Sequence, residues 1–197
     1  PASSARGRGH DGPMTSPDDA PDARTEPAGL AGLATELWEA TLRVAPSYAT
    51  FLGDRRFDTE IEDLTAEAEA TQRRTWADLR DRAAAIDLDG AALADAVTRA
   101  LMIETLDDTI GHIDHRTTEL RYDQMDGVVA GLLTAAPQLN APEPRNARDL
   151  VERHRGVGVM VDGAIGRFRA GLEAGRTPPR IVVERALNQI DAYLVSP

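Results

Sequence analysis

Two histidines and three carboxylates recur at helical spacing in the middle of the chain. At about 100° per residue, Glu104, Asp108, His112, His115 and Glu119 fall within about 80° of one another. Imidazoles and carboxylates gathered on one face are the donor set of a divalent metal such as zinc or manganese, with Asp108, His112 and His115 as its centre. The same residues also suit the solvated side of an amphipathic helix, with Asp108 and His112 as an i,i+4 ion pair. That simpler assignment is preferred, because the side opposite an apolar stripe must be polar. His154 stands within a run of apolar residues. It is expected as a core histidine satisfied by a hydrogen bond rather than as a base or ligand. Asp54, Arg55, Arg56 and Asp58 follow Gly53 closely. An arginine pair can clamp a carboxylate, but ion pairs within the loop that fix its turn are preferred. Gly156, Gly158, Gly163 and Gly166 do not match a phosphate-binding fingerprint, and no strand precedes them. Their cost in a helix points to close helix packing or a local break.

Composition removes whole classes of chemistry. The chain has 197 residues and no cysteine, so it has no thiol nucleophile and no thiolate-held metal. All 22 basic residues are arginine, which excludes lysine Schiff bases and a P-loop lysine. None of the four histidines is followed by glutamate, so there is no His-Glu zinc helix in this sequence. A net charge of −11 argues against nucleic acid and against anionic membrane surfaces as partners. No apolar run approaches the roughly 20 residues of a membrane span, and a cytoplasmic location is expected.

The elements that position these residues are helices. Residues 1–27 hold five of the 12 prolines and no Val, Ile, Leu or aromatic residue, so this Pro/Asp-rich tail is expected to be disordered. Residues 28–197 form the expected helical domain. Leu30, Leu33, Leu37, Thr41 and Val44 mark a first helix with Pro27 near its first turn; Pro46 interrupts it, and Gly53 closes a short second one. A long helix follows from about Thr65 to Ile86, and another from about Ala91 to Leu120, with Ala100, Ile103, Leu106, Ile110 and Ile113 on its apolar side. Gly127–Ala136 is short and apolar. The next helix begins near Asn146 and carries the stripe Leu150, His154, Val157, Val161, Ile165, Phe168 and Leu172. The last has Thr177 as N-cap, Pro178 in its first turn, and Val183, Leu187, Ile190 and Leu194 on one face. The fold class is all-α, an antiparallel bundle of about five to six helices.

Two stretches carry a resemblance. One is Leu37-Trp38-Glu39 followed by Pro46-Ser47-Tyr48-Ala49-Thr50-Phe51-Leu52-Gly53-Asp54-Arg55-Arg56-Phe57-Asp58. The other runs from Gly171 through Arg176-Thr177-Pro178-Pro179-Arg180 to Glu184-Arg185. Together they resemble the N-terminal part of the bacterial domain-of-unknown-function 885 family, over roughly Leu30 to Leu194. Members of that family look like helical zinc metallopeptidases of the gluzincin kind, with a His-Glu zinc motif in their later half. The resemblance implies that this chain is the leading helical portion of such a protein, inactive alone and without catalytic or zinc-binding residues of its own. Its partners would be the remainder of its own polypeptide and a peptide substrate. Arg180, Glu184 and the Arg55–Arg56 turn would face the substrate groove. The alternative is a freestanding helical interaction module without catalysis.

Overall fold

The computed structural model describes residues 29–195. The 1–27 tail and the role given to Pro27 lie outside them. The described residues form seven α-helices joined by loops and three short 3₁₀ turns, with no strand among them. The helices are α1 (Leu30–Val44), α2 (Pro46–Phe51), α3 (Ala66–Ala84), α4 (Leu93–Asp114), α5 (Val128–Ala135), α6 (Pro144–Glu173) and α7 (Arg180–Leu194).

One core sits between α1, α3 and α4. Leu30 and Leu33 meet Trp76, Leu79 and Ala83 from α3 and Met102 and Leu106 from α4. The 3–4 spacing that places them on one face of each helix is readable in the sequence. Punctuation falls where backbone chemistry demands it. Pro46 lacks an N–H and starts α2. Gly53 takes φ 91°, the left-handed turn that ends it. Thr65 caps α3, its hydroxyl accepting from Ala68 N at 3.2 Å.

Three expected features differ. The helix through the metal candidates ends at Asp114, because Arg116 adopts φ 56° and the chain turns into a 3₁₀ segment at Thr117–Leu120. Ala100, assigned to the apolar core side of that helix, is exposed. The last helix begins at Arg180, not Pro178, with Pro179 as its N-cap. A residue preceding proline is pushed out of the helical region, so the Pro178-Pro179 pair delays the helix until the second ring is passed.

The largest difference concerns α6. Its expected stripe is not what it buries. The buried residues are Asn146, Arg153, Met160, Ala164, Arg167 and Gly171. On a helical wheel this line is centred about 80° from the Leu150–Leu172 stripe. Ile165 and Leu172 remain exposed, and His154 is exposed too, its Nδ1 2.7 Å from Leu150 O. The glycines explain the rotation. A Cβ at Gly156 would lie 2.9 Å from Ile61 Cγ2, and one at Gly163 would lie 3.3 Å from the backbone at Leu64 and Thr65. The helix is unbroken, and its small-residue side lets the 61–65 backbone approach where the apolar side would hold it off.

Candidate functional site

The polar residues that α6 buries form two clusters along its length. At the N-terminal end, Arg153 is buried against the α2 region. Its Nη2 donates to Thr50 Oγ1 at 2.7 Å, Phe57 O at 2.7 Å and Pro46 O at 3.2 Å. Thr50 in turn donates to Asp58 Oδ1 at 2.7 Å, and Asn146 Nδ2 stands 3.4 Å from Asp58 Oδ2. No carboxylate lies within ion-pair distance of Arg153 among the described residues, and burial pulls its guanidinium below the ordinary value.

At the other end, Glu119 is fully buried. Arg176 binds its carboxylate with Nε at 2.7 Å and with Nη2; Arg116 and Arg167 approach at 3.5 and 3.7 Å. Arg167 also pairs with Glu69 of α3, which accepts a further bond from Thr118 Oγ1 at 2.8 Å. A Cβ at Gly171 would meet Glu119 Cβ at 3.0 Å, so glycine is what lets α6 close over this carboxylate. One buried anion therefore ties the 3₁₀ turn after α4 to α6 and to the α6–α7 connection.

Between these clusters lies a groove of about 540 Å³. Tyr48 and Phe51 of α2, Leu64, Val128 and Leu132 of α5, and Met160 of α6 line its apolar part. Glu62, Arg121 and Asp126 supply its charges. Glu62 is committed to α2, accepting from Ser47 N and Ser47 Oγ, each at 3.0 Å. The rim after Leu120 is held by Asp123, whose Oδ1 accepts from Met125 N and Asp126 N at 2.8 and 2.7 Å. Those amides hold its carboxyl below the usual range. A second, smaller apolar gap of about 200 Å³ lies between α7 and the Tyr122–Phe168 pair, whose rings are 4.0 Å apart. Tyr122 donates to Phe168 O at 3.2 Å, and burial, with the Glu119 charge, pushes its hydroxyl up.

The residues singled out from sequence are dispersed. Arg56 is bidentate to Glu39 of α1 at 2.9 Å and also pairs with Asp54 at 2.6 Å. Arg55 binds Asp58 at 3.3 Å and Asn140 O at 3.0 Å. The turn is thus stapled by its own ion pairs, and it also links α1 to the loop before α6. Arg180 and Glu184 pair with each other at 2.6 Å on the exposed side of α7. No hydrogen bond or ion pair joins them to the Arg55–Arg56 turn, and none of the four lines the groove.

On α4, Asp108 and His112 are exposed and 3.6 Å apart, which matches the ion-pair assignment. His115 is the C-cap residue of that helix. Glu119 leaves the face altogether. Among the described residues no three His, Asp or Glu side chains are grouped to hold a metal. The donor set therefore does not fit a zinc site among the described residues. Glu69, Arg153, Arg167 and Arg176 carry charge, so no apolar period marks them as members of buried clusters. The available signal was the seven-residue repeat Asn146, Arg153, Met160, Arg167 beside the glycines.

The exposed arginine pairs define an acid-side stability change. Hydrogen bonds from Arg82, Arg56 and Arg73 hold Glu36, Glu39, Asp54 and Asp114 below their ordinary values of 4.5 for Glu and 3.8 for Asp. A carboxyl depressed in the folded state contributes stability that is fully present above its unfolded pKa. That contribution is lost as pH falls through the lower folded value. Urea midpoints should be flat from neutral pH down to the ordinary carboxylate range and fall below it, less steeply in high salt. A midpoint that rises on acidification would contradict this pairing.

No described helix is long and apolar enough to cross a membrane. The family model "Bacterial protein of unknown function (DUF885)" matches residues 46–197. No curated protein and no solved structure matches the chain.

Proposed function

The chain belongs to the DUF885 family, and from that premise we propose that it is a non-catalytic helical support within a metallopeptidase-like protein. In this proposal further polypeptide of the same protein covers the α6–α7 side, and the groove forms part of a wall along which a peptide is held. One observation carries it. The most continuous apolar stripe in the sequence is not the face that α6 buries, and Ile165 and Leu172 are exposed on it. Leu187 and Leu194 of α7 are exposed as well. Apolar side chains left exposed on both helices are the surface that a covering segment would take. A wall of this type excludes water from a held peptide and orients it. Arg180 and Glu184 stand exposed on α7 outside the groove, so in this reading they meet only a peptide that extends beyond it, and the Arg55–Arg56 turn supports rather than touches. A zinc ion and its general base belong, in this reading, to polypeptide beyond these helices.

The test compares the chain with the intact gene product. Ile165→Asp together with Leu172→Asp should change the stability of the helical chain by no more than about 0.5 kcal/mol, because both positions are exposed in it. In the intact protein the same pair should lower peptide turnover at least about 10-fold, a loss of at least about 1.4 kcal/mol of transition-state stabilisation. Intact protein that folds and turns over normally with both aspartates would overturn the proposal. A freestanding interaction module would instead show no peptide turnover in any form.

A further inference from the structure

The first half of α4 is apolar on two opposite sides. Met102 and Leu106 face the core. On the other side Leu93, Val97 and Leu101 are 78 %, 48 % and 61 % exposed, spaced four residues apart. A line of large apolar side chains on the exposed side of a helix is a contact surface when something complementary meets it.

The exposed side reads the same in both directions. About Val97, Leu93 mirrors Leu101 and Ala94 mirrors Ala100, and both alanines are exposed. Such a patch is complementary to itself under a twofold axis, which sets the two helices antiparallel with Leu93 against the partner's Leu101 and Val97 against the partner's Val97. The alanines allow close approach. The two charged residues within the stretch do not point into it. Asp95 Oδ2 accepts from Ala92 N at 3.3 Å, and Arg99 Nη2 donates to Ala84 O at 3.1 Å.

Charge closes both ends of the seam. Glu104 is exposed and forms no ion pair among the described residues. It lies on the same side as Leu93 and Val97. In the antiparallel arrangement it is about 10 Å beyond the axis, and helical side chains lean toward their own N-terminus. That brings its carboxylate beside the first turn of the partner's α4. There the N–H groups of Leu93 and Ala94 have no acceptor among the described residues, and the helix end carries partial positive charge. An acid at that place on each copy is favourable twice over.

We propose that the exposed side of α4 is a homodimer seam, formed by Leu93, Val97 and Leu101 of two antiparallel copies and closed at each end by Glu104 on the partner's α4 N-terminus. The partner is a second copy of this chain. The seam is on a different element from the α6–α7 face and does not depend on the function proposed for it. It is small beside ordinary stable interfaces, so the dimer forms at high protein concentration and exchanges rapidly.

Sedimentation velocity over a concentration series should show a reversible monomer–dimer equilibrium. Val97→Asp sets two carboxylates together on the axis and should weaken it by at least about 10-fold, with an unchanged thermal melt because Val97 is at the surface. Glu104→Gln should weaken it by a few-fold at low salt and have less effect at high salt. The chain has no cysteine, so Val97→Cys introduces a single thiol at the axis. It should form a disulfide dimer on mild oxidation much faster than Glu67→Cys, an exposed position on α3. A chain that stays monomeric throughout, or a Val97→Cys variant that cross-links no faster than Glu67→Cys, would overturn the seam.

Discussion

Glu119→Ala is expected to cost about 3–5 kcal/mol of unfolding free energy, the range found when one member of a buried ion pair is removed. Glu119 has no exposed surface, and its carboxylate is shared by Arg176, Arg116 and Arg167. Without it Arg176 loses its only acid partner among the described residues, and Arg167, 4 % exposed, keeps only Glu69. The substitution also leaves a void where the Glu119 side chain beyond Cβ lay, while the Cβ that packs against Gly171 stays in place. Urea denaturation followed by circular dichroism measures the loss. Because the carboxylate joins three segments, hydrogen exchange should rise together in the 3₁₀ turn at Thr117–Leu120, in the C-terminal half of α6 and in the α6–α7 connection. A loss below about 1 kcal/mol would show that the cluster is no more than a surface ion pair in strength.

Arg153→Ala is expected to be of similar size, and Arg153→Met much milder. The Ala variant removes a long buried side chain and leaves a cavity, at a cost of about 2–5 kcal/mol by analogy with large-to-small changes. The Met variant keeps most of that volume and removes a poorly compensated cation. Nε and Nη1 of Arg153 have no hydrogen-bond partner, and no carboxylate is within ion-pair distance among the described residues. Most of its acceptors keep a partner after the change: Phe57 O still accepts from Glu60 N at 2.9 Å, and the Thr50 hydroxyl keeps its bond to Asp58 at 2.7 Å, so Pro46 O is the acceptor that loses a side-chain donor. An apolar replacement of matching volume should therefore cost less than about 1.5 kcal/mol. If Met proves as damaging as Ala, the forked bonds to α2, and not the packing of the stem, hold α6 in place.

How far the sequence could be read depended on which residues did the burying. In α1, α3 and α4 the buried residues Leu30, Leu33, Trp76, Leu79 and Leu106 follow a period of 3.6 in apolar residues, while Met102 enters the core from beside the expected stripe, on which Ala100 is exposed. In α6 the buried line holds two arginines, an asparagine and a glycine. The apolar period of that helix marks a different side, which carries His154, and His154 is exposed. Of the four glycines of the sequence series, Gly156 and Gly163 face a close approach, to the Ile61 side chain and the Leu64–Thr65 backbone, whereas Gly158 and Gly166 face open space. The 61–65 segment lies about a hundred residues away in sequence and has no local signature. The candidate metal face failed for a similar reason: one left-handed residue, Arg116, redirects Glu119 from the solvated side of α4 into the interior.

From the residues alone follow the helical class, the breaks at Pro46 and Gly53, the apolar sides of α1, α3 and α4, and the absence of thiol, lysine and His-Glu chemistry. These are local properties, set by side-chain type, backbone freedom and a fixed period. Only the tertiary structure decided which side of α6 turns inward, where Glu119, Arg153 and Arg167 find their partners, and where the groove opens. A buried charge is tolerable only where distant groups converge on it, and that convergence belongs to packing between elements, not to the order of residues within one.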